Sequence, residues 1–139
     1  MSGFVLDFSV TVSWAFEDKN APYAEAVLDS LTGQKAIVPS PWRLETVNAL
    51  LAAERRRRIS PAQVDTFLRF LRTLPIRIDA GAESDPPLAL AELARRHDLT
   101  AYDAEYLGLA IRENLPLATM DRQLAEAASR AGVASLAPR

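Results

Sequence analysis

The chain has no cysteine. That excludes disulfides, zinc–thiolate sites, iron–sulfur clusters and a thiol nucleophile. It has one histidine, His97, so a multi-histidine metal site is excluded as well. Its five glycines, Gly3, Gly33, Gly81, Gly108 and Gly132, are scattered and build no phosphate-cradling loop. Lysine is scarce: two of the 16 basic residues are lysines, Lys19 and Lys35, and the other 14 are arginines. No apolar run approaches the roughly 18 residues that span a bilayer. The N-terminus lacks a basic flank and reaches Asp7 too early for a signal peptide, so a soluble cytoplasmic protein is expected. The net charge is -2, which gives no global attraction for nucleic acid; any such role must come from local arrangement.

What is present is a 139-residue chain, 49% hydrophobic, the size of one domain spanning 1–139. Gly3–Leu6 is a short apolar run that ends on Asp7 and reads as a buried strand. A helix begins at Ser9–Phe16 and another spans Ala21–Leu31, followed by a turn at Thr32–Gly33–Gln34 and a strand at Ala36–Val38. Ser40–Pro41 signals a capped helix start, and Trp42–Arg58 reads as one long amphipathic helix. Ser60–Pro61–Ala62–Gln63 carries a capping box for a helix to about Thr73. Ile76–Ile78 is a third strand. Helices follow from Asp85–Pro86 through His97 and over Ala101–Glu113, the latter capped by Thr100. Leu115–Thr119 is a fourth strand, Asp121–Ala131 a last helix and Val133–Leu136 a fifth strand. Continuously apolar strands alternating with helices predict an α/β fold, a three-layer α/β/α sandwich with a mostly parallel, five-stranded sheet.

In a parallel sheet every strand ends on one edge, and ligands bind outside that edge. Asp7 ends the first strand there. Asp121 follows the fourth strand on the same edge, and Glu45 lies in the second turn of the helix leaving the second strand. The helix carrying Asp103 precedes the fourth strand and must run antiparallel to it, which returns Asp103 to the same edge. Two charges 4 Å apart cost about 4 kcal/mol at an effective dielectric near 20. A fold keeps such a cluster by protonating members, pairing them with Arg or binding a divalent cation. Oxygen-only ligands indicate a hard ion such as Mg²⁺ or Mn²⁺, and such ions suit phosphodiester hydrolysis. Each acid also has a plainer reading. Asp121 sits where a helix N-cap belongs, Asp103 at a capping-box position, and Glu45 on a helix surface within reach of Arg43. Asp7 is the hardest to explain that way, since an acid that abruptly ends a buried strand needs a partner.

Four segments, Val5-Leu6-Asp7-Phe8-Ser9-Val10, Pro41-Trp42-Arg43-Leu44-Glu45-Thr46-Val47-Asn48-Ala49-Leu50, Leu99-Thr100-Ala101-Tyr102-Asp103-Ala104-Glu105-Tyr106-Leu107 and Leu117-Ala118-Thr119-Met120-Asp121-Arg122-Gln123-Leu124, occur in this order. Together they resemble the PIN-domain proteins, specifically the VapC-type toxins of toxin–antitoxin pairs, over nearly the whole chain. The resemblance implies a Mg²⁺-dependent endoribonuclease that hydrolyses RNA phosphodiesters with metal-activated water, leaving 5′-phosphate and 3′-hydroxyl ends. It implies that Asp7 and Asp103 are the principal metal ligands, that Glu45 and Asp121 complete the acidic pocket, and that Thr119 supports it. Ser9 is a weaker candidate for a supporting contact. It also implies a homodimer silenced by a VapB-like antitoxin whose tail enters the cleft. Phe8 departs from the family, whose residue after the first Asp is usually small; it either narrows the cleft mouth or turns into the core.

Other features have ordinary explanations. Arg55–Arg58 reads as a solvated helix end, with RNA phosphate contact as the competing reading. Trp14 and Phe16 read as packing, as do Tyr102 and Tyr106. Trp42, Phe67, Phe70 and Leu71 have core-like or dimer-like spacing. His97 reads as a surface residue at a helix end. The competing function is a receiver-like or other Mg-binding α/β regulatory domain without nuclease activity. Asp79 after the third strand would suit it, but no adjacent acid pair follows the first strand and no lysine lies beyond residue 35.

Overall fold

The structure, a computed structural model, describes residues 3–16, 22–79 and 85–138. Four strands, β1 (Gly3–Leu6), β2 (Lys35–Val38), β3 (Ile76–Ile78) and β4 (Leu117–Ala118), form one parallel sheet in the order β3-β2-β1-β4. The strand β1 is buried along its whole length, as expected of an uninterrupted apolar strand paired on both sides. Phe4 lies opposite Ala36, and Val5 opposite both Ile37 and Leu117.

The helices are α1 (Phe8–Ser13), α2 (Pro22–Ser30), α3 (Pro41–Arg55), α4 (Pro61–Leu71), α5 (Pro87–His97), α6 (Ala101–Glu113) and α7 (Arg122–Arg130). One group links α2, α1, α3 and α4 by successive packing. The other links α5, α6 and α7, with α6 lying against β1 and β4. The result is the expected three-layer sandwich, its core running from Phe4 and Leu6 through Leu50 to Tyr106 and Leu124. After β1 the chain moves to β2 and then β3 on one side, and only later returns to place β4 on the other. The gap between β1 and β4 is therefore the topological switch point, where a crevice opens beyond the strand ends.

Several local readings need correction. Val133–Leu136 is not a fifth strand: the only ladder contact there is a parallel bridge between Leu117 and Ser135. Its neighbour β4 is two residues long and offers length for little more. Ser40 does not cap α3 with its side chain, because its backbone is already helical (φ -57, ψ -34) rather than extended. Ser60, which is extended, does build the expected capping box with Gln63. The helix α3 ends at Arg55, short of Arg58. Arg57 takes a left-handed φ of 61°, and the Arg58 amide donates back to the Ala53 carbonyl, closing the helix. The four arginines are exposed, and the Arg58 guanidinium lies 4.9 Å from the centre of the Phe16 ring.

His97 is buried rather than on the surface. It occupies the last turn of α5, which α6 covers, and its Nδ1 has no partner among the described residues. Trp14 packs as expected, its indole N–H donating to the Ala24 carbonyl at 2.7 Å. The predicted start of α2 at Ala21 lies outside the described residues.

Candidate active site

Asp7 follows the last residue of β1 and is 1% exposed. Two hydroxyls hold its Oδ2: Ser9 Oγ donates at 2.6 Å and Thr119 Oγ1 at 2.8 Å. Ser9 is the second residue of α1 and Thr119 lies just past β4, so the switch-point crevice is clamped from both sides. Both hydroxyls also accept. Ser9 Oγ takes the Met120 N–H at 3.0 Å, and Thr119 Oγ1 takes the Asp121 N–H at 3.0 Å. The loop after β4 is thereby tied to the carboxylate that ends β1. The other oxygen of Asp7, Oδ1, is buried with no hydrogen-bond partner among the described residues. A buried oxygen acceptor left open in this way is an uncompensated cost unless something outside the chain satisfies it.

The other three acids face the same place. Desolvation raises the Asp7 carboxyl above its ordinary range, the hydroxyls of Ser9 and Thr119 oppose that rise, and Asp121 adds to it. Glu45 is pushed up to about 7, first by desolvation, against the lowering effect of Tyr106, with Asp7 and Asp103 adding repulsion. Asp103 is pushed up to about 6 by desolvation and then by Asp121 and Asp7. These mutual influences mean that Asp7, Glu45, Asp103 and Asp121 share one negative basin. Among the described residues no arginine, lysine or histidine forms an ion pair with any of the four. The alternative reading in which Glu45 pairs with Arg43 finds no such pair there.

One plain role foreseen for these acids is also real. Asp121 is the N-cap of α7, its Oδ1 accepting the Leu124 N–H at 3.1 Å. Thr100 caps α6 by accepting the Asp103 N–H at 3.1 Å, but the Asp103 carboxylate does not complete the foreseen capping box. Tyr106 is more than packing. It is fully buried, yet its hydroxyl donates to Glu45 Oε1 at 2.8 Å. Desolvation, together with the adjoining carboxylates of Asp7 and Glu45, holds its phenol well above the ordinary range, so it stays a donor. One sequence signal pointed that way: Tyr106 follows Asp103 by three residues and so shares its helix face.

The donor set fits a hard divalent cation. It is made of oxygens only, has no counter-cation among the described residues, and carries one buried carboxylate oxygen open to the basin. Among the described residues no three of these acids already stand close enough to grip an ion, so binding would draw the half-buried side chains of Glu45, Asp103 and Asp121 toward Asp7. Asp79, which a receiver-like domain would use, is occupied by an ion pair with Arg112 at 3.0 Å.

Residues 4–130 match the PIN domain family. No curated protein matches the sequence. Solved structures share its fold. PAE2754 from Pyrobaculum aerophilum has 21% identity and a TM-score of 0.69, covering 96% of this chain and 83% of that one. FitAcB from Neisseria gonorrhoeae has 21% identity and a TM-score of 0.57, with 97% of each chain covered. VapBC2 from Rickettsia felis, bound to a DNA fragment from their promoter, has 17% identity and a TM-score of 0.56, covering 86% of this chain and 87% of that one.

Proposed function

The chain belongs to the PIN domain family, and from that premise we propose that it is a divalent-metal-dependent endoribonuclease, the toxin of a toxin–antitoxin pair. The observation that carries the proposal is the open Oδ1 of Asp7 inside a basin of four acids that no cation among the described residues pairs with. Asp7 and Asp103 would hold the ion, Mg²⁺ or Mn²⁺. When bound, such an ion supplies Lewis acidity toward water and the phosphoryl oxygens.

The chain's own groups divide the remaining work. Ser9 and Thr119 fix Oδ2 of Asp7 and so present Oδ1 to the basin. Glu45 is the group best placed to take the proton of the attacking water. Its carboxyl sits at about 7, near the working pH that suits a general base, and Tyr106 fixes its orientation. Asp121 is partly committed to capping α7 and contributes mainly charge. Water then adds to phosphorus, the P–O3′ bond breaks, the water proton passes to Glu45, and the departing O3′ takes a proton from solvent. The products carry 5′-phosphate and 3′-hydroxyl ends.

The proposal extends to a homodimer and to a VapB-like antitoxin whose cationic tail occupies the basin, since an arginine there would replace the missing counter-charge. The four motif segments support this, as does the fold shared with VapBC2 and FitAcB. The test is incubation of a panel of RNAs with and without Mg²⁺ or Mn²⁺, followed by end-group analysis. Metal-dependent cleavage to 5′-phosphate ends is expected from the wild type and none from Asp7→Asn, which is isosteric and keeps an oxygen acceptor for both hydroxyls. Cleavage by Asp7→Asn at the wild-type rate, or products ending in cyclic phosphate, would refute it.

A further inference from the structure

Beside the acids lies a groove of about 550 Å³ that the proposed cleavage chemistry does not use. Phe8, Leu44, Glu45, Asn48, Ala49 and Tyr102 line it. It is continuous with the basin: Glu45 belongs to both, Phe8 follows Asp7, and Tyr102 precedes Asp103. We infer that this groove is a nucleobase pocket, which reads the identity of one nucleotide next to the bond that is cut; the inference rests on the nuclease reading only for that last clause.

The lining chemistry selects a base over other occupants. No lysine or arginine lines the groove, and Glu45 closes one end, so a phosphate is disfavoured there. Tyr102 is 61% exposed and Leu44 59% exposed, which makes them two of the most exposed large hydrophobic side chains in the described structure. The Tyr102 ring offers a π-face for stacking, and Leu44, Phe8 and Ala49 supply apolar surface for the same flat partner. Phe8 serves both alternatives raised by its size, packing on the core with part of its surface and walling the groove with the rest. Asn48 is exposed, and its amide has no partner among the described residues. It carries one acceptor and two donors, the complement of a base edge. A flat, neutral ligand with an apolar face and a hydrogen-bonding rim is a nucleobase. The volume lies within the range of small-ligand sites.

The test uses the Asp7→Asn protein and dye-labelled single-stranded RNA, with binding followed by fluorescence anisotropy while an abasic nucleotide is walked along the oligonucleotide. Wild-type protein in EDTA serves as the second background should Asp7→Asn fail to fold. One abasic position should weaken binding about 5- to 150-fold. Adding Tyr102→Ala should weaken binding to intact RNA by a similar factor and have no further effect on the RNA abasic at that position. Tyr102→Phe should bind as Tyr102 does, and Asn48→Ala should lose discrimination among the four bases at that position alone. A flat abasic scan overturns the inference, as does a Tyr102→Ala loss that is equal at every position. A change of oligomeric state, or of binding to an antitoxin-derived peptide, without a position-specific effect on RNA also overturns it and gives the groove to a protein partner. The same RNAs are then offered to the wild type with Mg²⁺ or Mn²⁺. Cleavage with a flat scan leaves the nuclease standing without the pocket, and a position-specific scan without cleavage leaves the pocket without the nuclease.

Discussion

Glu45 sits between opposed influences, with burial and two neighbouring carboxylates driving it toward the neutral acid and the Tyr106 hydroxyl favouring its charge. Removing that hydroxyl should release the upward pressure. In metal-free protein the Glu45 carboxyl of Tyr106→Phe should titrate above the wild-type midpoint of about 7, read by carbon-13 NMR of the side chain. An unchanged midpoint would mean that the hydrogen bond does not hold Glu45. The loss of one such bond should cost about 0.5–1.5 kcal/mol of stability. The position of Asp7 was legible because an acid ending an apolar strand is conspicuous. The role of Tyr106 was not, because Glu45 lies 61 residues away and only tertiary packing brings the two together. Burial of His97 was hidden for the same reason: its neighbours along the chain are charged, and the cover comes from α6.

Among the elements, a signal in the residues held only where the surrounding backbone had the matching conformation or pairing. Ser40 and Ser60 both precede proline, yet only Ser60 has the extended backbone that lets a side chain cap a helix. Ser60→Ala should therefore destabilise the protein by about 1 kcal/mol, measured by urea unfolding, whereas Ser40→Ala should have little effect. Equal losses would contradict the difference in capping. Strands β1, β2 and β4 were legible from apolar runs, whereas β3 carries Arg77 between its two isoleucines. The shortfall at Val133–Leu136 follows from the brevity of β4, which an apolar count from Leu115 to Thr119 overestimates. The truncation of α3 depends on one left-handed residue, Arg57, whose side chain gives no sequence warning of it.

For the molecule as a whole, the acid basin, on the proposed reading, should make stability depend on pH and on metal. Glu45 rises from 4.5 to about 7 on folding and Asp103 from 3.8 to about 6. Between about pH 4 and 7 the folded protein therefore holds more protons than the unfolded chain at these two sites. Their contribution to stability is greatest at low pH, declines as pH rises through that window, and stays low above about pH 7. Thermal unfolding in EDTA should show Glu45→Gln gaining stability over the wild type at pH 8 and losing that advantage at pH 4; a difference independent of pH would contradict the shift. A divalent cation should reverse the wild-type deficit, because it binds the deprotonated acids and only the folded chain gathers them. The most direct test is calorimetric titration of the wild-type protein with Mn²⁺ at pH 8, alongside Asp7→Asn and Asp103→Asn checked for native circular dichroism. Saturable binding by the wild type that both substitutions abolish is the predicted result; no measurable heat of binding in the wild type, or affinity undiminished by either change, would contradict it.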